Sequence, residues 1–269
     1  MHRHDDAAAI SDRPESDEPA LVAEQLQAFE RDGFVVCRRF FSAAEMDEID
    51  RWAREIEEAP EVSGQHWVYR EQSLKDPDRK VLQRIENFCA FHPGFDRLFR
   101  HGRIMRCVDQ LFGEPAVLFK DKINFKKPGG GGFKPHQDQQ AGWSVYASLF
   151  ITALISIDDS TPENGCLEIA TGQRLRHLVG EEWRPLDDAV MAAMNPAPVT
   201  TRRGDTVFFD SYVPHGSKPN LTDRSRRVLY VTYNRASEGD QRARYFADKH
   251  RSFPPDIDRD PAKTYVFKV

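Results

Sequence analysis

Residues 226–233 read Arg226-Arg227-Val228-Leu229-Tyr230-Val231-Thr232-Tyr233. The β-branched and aromatic content is that of a strand. With a side-chain period of two, Arg226, Val228, Tyr230 and Thr232 share one face. Comparable runs recur upstream at 117–126, 146–157, 166–170 and 205–209, separated by Gly, Pro and Asn clusters at 128–132, 161–165 and 213–220. Short strands in such a series predict a sandwich or jelly roll.

The first 112 residues read mainly as helix. Val22, Leu26 and Phe29 recur at helical spacing over 21–31 and Gly33 follows as a stop. Residues 34–41 form a strand-like run. Ser42-Ala43-Ala44-Glu45 is a capping box, with Met46, Ile49, Trp52 and Ile56 as the stripe behind it and Pro60 as the end. A third helix is expected over 95–112, ended by Gly113. The fold class is therefore α+β: N-terminal helices packed on one sheet of a β-sandwich or jelly roll. The segment 174–200, with Trp183 and few periodic positions, reads as a long inserted loop.

At 269 residues, a divisor of about 150 per domain leaves one or two domains open. The reading is a disordered acidic leader over 1–20 and a single domain over 21–269. Hydrophobic residues make up 39 %, with 18 Phe, enough for a sizeable core and against wholesale disorder. A net charge of −5 argues against a nucleic-acid partner. No apolar run is long enough for a membrane span, and the polar N-terminus does not resemble a secretory signal. Four Cys without a CxxC pair fit a reduced, cytoplasmic protein; oligomeric state is left open.

His136-Gln137-Asp138 is the first chemical motif. On a strand edge, residues two apart point to one side, so an imidazole and a carboxylate reach one metal. With nine His in the chain, chance alone supplies about one such pair, and His4-Asp5-Asp6 is another. Two further residues add context. His215 sits in the turn Val213-Pro214-His215-Gly216-Ser217, where the plainer reading is an ordinary loop histidine. Two His and one carboxylate on one face of a metal is the arrangement of non-heme Fe(II) oxygenases. Arg226, eleven residues on, suits a carboxylate, although neighbouring Arg224 and Arg227 also fit a surface strand end.

Together these segments resemble the phytanoyl-CoA dioxygenase family of Fe(II)/2-oxoglutarate oxygenases. The resemblance extends over Asp32-Gly33-Phe34-Val35-Val36, Phe41-Ser42-x-x-Glu45, Pro135-His136-Gln137-Asp138, Glu163-Asn164-Gly165-Cys166-Leu167 and Pro214-His215-Gly216-Ser217. It implies the double-stranded β-helix (jelly-roll) form of the core, and that His136, Asp138 and His215 bind iron and serve catalysis. It also implies that Arg226 and Ser217 hold the distal carboxylate of 2-oxoglutarate, and that Arg84 occupies a basic cosubstrate position. Relatives often continue after the Asn-Gly-Cys segment with Pro-Gly-Ser/Thr-His, where this chain has Thr171-Gly172-Gln173-Arg174.

The 120–134 segment holds five Lys and one acid, and alternation puts Lys120, Lys122, Asn124 and Lys126 on one face. Facing a barrel mouth, Lys120 and Lys122 would select an anionic substrate and Asn124 would touch 2-oxoglutarate. The alternative is a solvated edge strand protected by Lys. Trp143 and Tyr146 are expected either to wall the pocket or to pack in the core. Pro128-Gly129-Gly130-Gly131-Gly132 lacks the Lys-Ser/Thr of a phosphate loop and reads instead as a flexible lid.

The activity expected is hydroxylation of an unactivated C–H in a small polar anion, a phosphonate or carboxylate such as 2-aminoethylphosphonate. Fe(II) is the cofactor, 2-oxoglutarate and O2 are cosubstrates, and succinate and CO2 are released. Retention of Asp138 argues against halogenation. An acyl-CoA hydroxylase, a zinc hydrolase with the same three ligands, and a non-catalytic 2-oxoglutarate-binding module are the alternatives.

Overall fold

Helix α1, Ala23–Asp32, stops at Gly33, whose φ of 76° lies in the left-handed region that glycine adopts without strain. Its amide closes the last turn on the Phe29 carbonyl. Strand β1, Phe34–Cys37, follows directly. It is shorter than the 34–41 run because the chain turns at Arg39, φ 51°. Helix α2, Ala43–Glu58, begins with the expected reciprocal cap: Ser42 Oγ accepts from the Glu45 amide, and the Glu45 carboxylate accepts from the Ser42 amide at 2.7 Å.

The computed structural model describes residues 20–172 and 174–267. Apart from Ala20, the acidic leader expected over 1–20 lies outside the described residues. Two expectations for the first 112 residues need correction. Helix dominates this part less than expected, because residues 67–86, to which no element was assigned, form the hairpin β2, Trp67–Gln72, and β3, Lys80–Glu86. The single helix expected over 95–112 is two, α3, Pro93–Arg100, and α4, Arg103–Phe112. Gly102, with φ 76° and ψ −151°, breaks the run between them.

The remaining elements are β4 (Ala116–Asn124), β5 (Phe133–His136), β6 (Phe150–Ser156) and β7 (Leu167–Ile169), then α5 (Asp188–Ala193) and β8 (Ala197–Val199). They are followed by β9 (Thr206–Asp210), β10 (His215–Ser217), β11 (Val228–Arg235) and α6 (Arg242–Ser252). Seven strands make one sheet in the order β1-β9-β6-β11-β4-β3-β2, and four make the other in the order β5-β10-β7-β8. This is the expected jelly roll, and the 174–200 insertion contains α5 and β8 rather than loop alone.

Alternation assigns the two faces of the large sheet. On β11, Leu229, Val231 and Tyr233 belong to the cluster shared with Phe29, Trp52, Phe95 and Val108 of α1 to α4. Helices thus cover that face. Val228, Leu154 and Phe209 on the other face meet Leu167, Ile169 and Val199 of the small sheet. Tyr230 and Thr232 share the inward face with Val228, as period two requires. β4 lies between β11 and β3, so the solvated edge-strand alternative for its lysines does not hold. Packing this continuous is what places a set of polar side chains between two sheets.

The glycine run is no free lid. Gly129 donates to the Asn220 carbonyl at 2.8 Å, Asn220 donates to that of Gly130 at 3.0 Å, and Leu74 donates to that of Gly129 at 2.8 Å. A Cβ at Gly132 would lie 2.3 Å from the Ser217 carbonyl oxygen, so close approach explains that glycine. Replacing Ser42 by Ala removes one member of the α2 cap. The expected cost is about 1 kcal/mol, read as a lower urea midpoint at unchanged slope.

Candidate active site

β5 and β10 pair antiparallel with His136 directly opposite His215. That register alone brings two residues 79 positions apart into contact, with ring centroids separated by 4.4 Å. Each Nδ1 is bound to a nearby carbonyl, His136 to Lys134 at 2.7 Å and His215 to Val213 at 2.9 Å. This fixes each ring and leaves each Nε2 free to face a metal.

Asp138 joins them by a route other than strand alternation. β5 ends at His136, and Asp138 opens a short 3₁₀ turn, Asp138–Ala141. Between them Gln137 is fully buried and points away from the metal face. Its amide nitrogen donates to the carbonyls of His177 at 2.9 Å and Tyr212 at 2.6 Å, and its oxygen accepts from the Val179 amide at 2.7 Å. His215 is correspondingly on a strand rather than in a turn. One ligand atom from each of His136, Asp138 and His215 lies within 4.8 Å of the others.

The electrostatics suit a divalent cation. Burial, then the neighbouring His215, lowers the His136 pKa to about 4, so the imidazole is neutral and its lone pair available. Burial opposes the charge on Asp138, but His215, His136, Lys122 and Lys120 outweigh it and hold the carboxyl below its ordinary range. Two imidazole nitrogens and a carboxylate, on one side only, are the donor set for Fe(II) with open positions.

A cavity of about 700 Å³ spreads from these ligands between the sheets. The large sheet contributes Arg84, Glu86, Lys120, Lys122, Asn124, Tyr230 and Thr232. The small sheet supplies Phe133, His136, Leu167, His215 and Ser217, while Trp143, Tyr146 and Trp183 stand along the wall and mouth. Lys120, Lys122, Asn124, Arg84, Ser217, Trp143 and Tyr146 are thus all brought to one space. Trp143 does both jobs expected of it, since it also packs against Phe119 and Phe150.

Two basic residues sit elsewhere. Lys126 leaves the alternation after β4 ends, and its ammonium is held by the carbonyls of Gly165 and Lys218. Arg226 is buried outside the cavity lining, with Nη2 donating to the Gly165 carbonyl at 2.5 Å and Nε unpartnered. Tyr230 stands in front of it and shares hydrogen bonds with Arg226 and Asn124. Burial, then the nearby Lys120, pushes the Lys122 ammonium down to about 7; it lies 4.5 Å over the Tyr230 ring.

Reading the sequence missed Glu86, Tyr230 as a lining residue, and Lys249. Glu86 was detectable: Arg84 and Glu86 alternate with apolar positions in a run ending at Phe88, and charge on one face of such a run signals a polar interior. Lys249 lies on a helix too uniformly charged to single it out.

A family model described as "Phytanoyl-CoA dioxygenase (PhyH)" matches residues 29–228. The chain belongs to the phytanoyl-CoA dioxygenase family. This family member is an Fe(II)/2-oxoglutarate-dependent dioxygenase. It is 41 % identical over 246 residues to the 2-aminoethylphosphonate dioxygenase of the uncultured bacterium HF130_AEPn_1, covering 91 % of this chain and 94 % of that one. It is 39 % identical over 234 residues to the methylphosphonate hydroxylase of Gimesia maris, covering 87 % and 88 %. Its fold resembles that of EctD from S. alaskensis crystallised with 2-oxoglutarate and 5-hydroxyectoine, with a TM-score of 0.70 at 22 % identity over 85 % of this chain and 81 % of that one. The zinc hydrolase and the non-catalytic module fall with this assignment. Arg174, at the departure noted after the Asn-Gly-Cys segment, is engaged away from the cavity with Asp210 at 2.7 Å and Glu30 at 2.5 Å.

Two outcomes follow for this dioxygenase. Asp138→Ala leaves two imidazoles and lowers Fe(II) affinity by more than about tenfold, measured by anaerobic metal titration. Gln140 donates to the carbonyls of Glu181 at 2.9 Å and Arg184 at 2.7 Å. Gln140→Ala therefore frees the insertion, and limited proteolysis cuts within 180–195 faster than in the wild type.

Proposed function

We propose that this dioxygenase hydroxylates a small phosphonate, with 2-aminoethylphosphonate the first compound to test. The carrying observation is a wall of basic side chains, Arg84, Lys120, Lys122 and Lys249, lining the cavity that contains the His136-Asp138-His215 face. Such a wall suits a compact anion with several acceptor oxygens. The two phosphonate-directed relatives support the same chemistry. An acyl-CoA is disfavoured on position: Arg84 and Glu86 are 2 % and 1 % exposed, so this charge lies deep, not at a surface where a nucleotide would rest.

In this reading His136, Asp138 and His215 hold Fe(II), and Ser217, Asn124 and Arg226 hold 2-oxoglutarate, with Tyr230 passing its hydroxyl between the last two. The orphaned Arg226 Nε is a buried donor awaiting an acceptor such as a carboxylate oxygen. Arg84 goes to the substrate side rather than to the cosubstrate, because its Nε is committed to Glu86 at 2.7 Å. Bound Fe(II) with 2-oxoglutarate supplies O2 activation, one C–H becoming C–OH as succinate and CO2 leave. The chain's part is to hold the phosphonate head on the basic wall to which Lys120 belongs, with Lys122 on the side of the metal face, to keep one carbon at that face, and to exclude water with Trp143 and Tyr146. Methylphosphonate has one carbon, so a shared head position sets the phosphorus-bound carbon as the one oxidised. Residues 21–269 act as one catalytic domain. Cytoplasmic placement fits the four unpaired, buried cysteines, and no described helix is long and apolar enough to cross a membrane.

The test is an anaerobic visible titration with Fe(II) and then 2-oxoglutarate, followed by phosphonates, amino acids and acyl-CoAs. A charge-transfer band that needs both additions and shifts only with a phosphonate is expected. In air, that phosphonate is hydroxylated with one succinate per turnover. A shift and succinate release with an acyl-CoA or amino acid, and none with phosphonates, would overturn the reading. Lys120→Met raises the phosphonate KM by about tenfold or more and spares that for 2-oxoglutarate. Arg226→Met does the reverse.

A further inference from the structure

Three cations from three distant segments meet on one buried carboxylate. Glu86 accepts from Arg84 Nε at 2.7 Å and from the Lys249 ammonium, and Lys120 Nζ lies 3.9 Å away. Arg84 comes from β3, Lys120 from β4 and Lys249 from α6. The helix is tied down for this purpose: Arg242 at its start pairs with Asp121 of β4 at 2.5 Å and with Asn87 Oδ1 at 2.9 Å.

The surroundings are aromatic. Arg84 stacks 4.3 Å over the Tyr69 ring and 4.6 Å from that of Phe267. Lys120 lies 5.5 Å over Trp143 and 5.6 Å over Tyr245, and Lys249 lies 5.5 Å over Tyr69 and 5.9 Å over Tyr245. Ring faces favour a cation without neutralising it. Arg84 Nη2 is buried with no partner, so one donor of the group is unspent. Of the acids that also line the cavity, Asp248 is engaged by Tyr146 at 2.7 Å, Glu182 by Ser144 at 2.7 Å, and Asp138 belongs to the metal face. Lys122 faces Asp138 and Tyr230 and is counted with them.

Burial pushes the Lys249 ammonium well down, with Glu86 opposing it, so an anion arriving here would favour its charged form. With both lysines protonated, three cations and one carboxylate leave two positive charges where little water reaches. We propose that Arg84, Lys120 and Lys249, gathered on Glu86, form a charge-counting subsite that accepts a dianionic headgroup and rejects an isosteric monoanion. This deepens the phosphonate reading and rests on it. A phosphonate in its second ionisation state completes neutrality. A sulfonate has the same tetrahedral shape and one charge fewer, leaving a buried cation uncompensated, which low-dielectric surroundings penalise. Lys249 is then a specificity-determining residue that contacts the headgroup. Glu86 is a positioning residue, acting through the cations it gathers.

The experiment uses iron-loaded enzyme at a pH above the second ionisation of the phosphonate. Turnover of 2-aminoethylphosphonate and of methylphosphonate is measured, with 2-aminoethanesulfonate and methanesulfonate as the matched competitors. In the wild type each sulfonate inhibits with a constant about 100-fold or more above the KM of its phosphonate. Lys249→Met leaves Glu86 with two partners and the cluster with one net charge. Its phosphonate KM rises about tenfold while sulfonate inhibition strengthens or holds, so the gap shrinks to about tenfold or less. Lys249→Arg keeps the gap, and the 2-oxoglutarate KM stays put in both variants. Phosphonate turnover with equal binding of both anions, or a Lys249→Met loss that falls equally on both, overturns the charge-counting subsite alone. Turnover of neither phosphonate overturns the functional reading, and the subsite with it.

Discussion

The antiparallel pairing of two very short strands is the constraint on which this enzyme depends. β5 and β10 place His136 opposite His215, and the carbonyls two residues back hold both rings by Nδ1. A one-residue slip would turn one imidazole to the other face of the sheet and end the metal site. Strands of four and three residues cannot resist slippage by themselves. β7 flanks β10 on its other side, and the Gly132 backbone packs on the Ser217 carbonyl. Gln137 adds a lock of its own by spending its whole side chain on the backbone of the insertion and of the β9–β10 connection.

The second theme is how a barrel interior carries so much charge. Buried cations shed protons, and the depressed pKa values of Lys122, Lys126 and Lys249 show burial acting in that direction, for Lys249 against the pull of Glu86. Two remedies are visible. Lys126 is surrounded by carbonyl oxygens and serves the frame. Arg84, Lys120 and Lys249 are instead grouped on Glu86, whose carboxyl they hold well below its ordinary range against the opposing effect of burial. One carboxylate thus keeps three donors ordered without cancelling them.

Much of this was readable in the residue order. The capping box at Ser42, the stop at Gly33 and the alternation in β11 are local rules, and local rules survive folding. The His136-Asp138-His215 grouping followed from spacing together with family resemblance, although a 3₁₀ turn, not a strand edge, brings Asp138 to the two imidazoles. The failures share a cause. The β2–β3 hairpin stayed hidden because the inward face of β3 carries charge, Arg84 and Glu86, where an interior strand face is expected to be apolar. Lys249 was invisible because its role is set by the docking of α6 through Arg242 and Asp121, a tertiary fact. The glycine run was misread since close packing and freedom of motion demand the same residue.

The two halves of the site are mounted on different sheets. The His136-Asp138-His215 cluster and Ser217 belong to the four-stranded sheet or its edge, whereas Arg84, Glu86 and Lys120 belong to the seven-stranded one, with Lys249 added by a helix. The candidate metal face and the basic wall therefore sit on separate supports. Substitutions on β3, β4 and α6 can retune which molecule is admitted while the oxidant and its geometry stay intact. A catalyst divided in this way can acquire new substrates by drift on one surface, at little risk to the chemistry on the other.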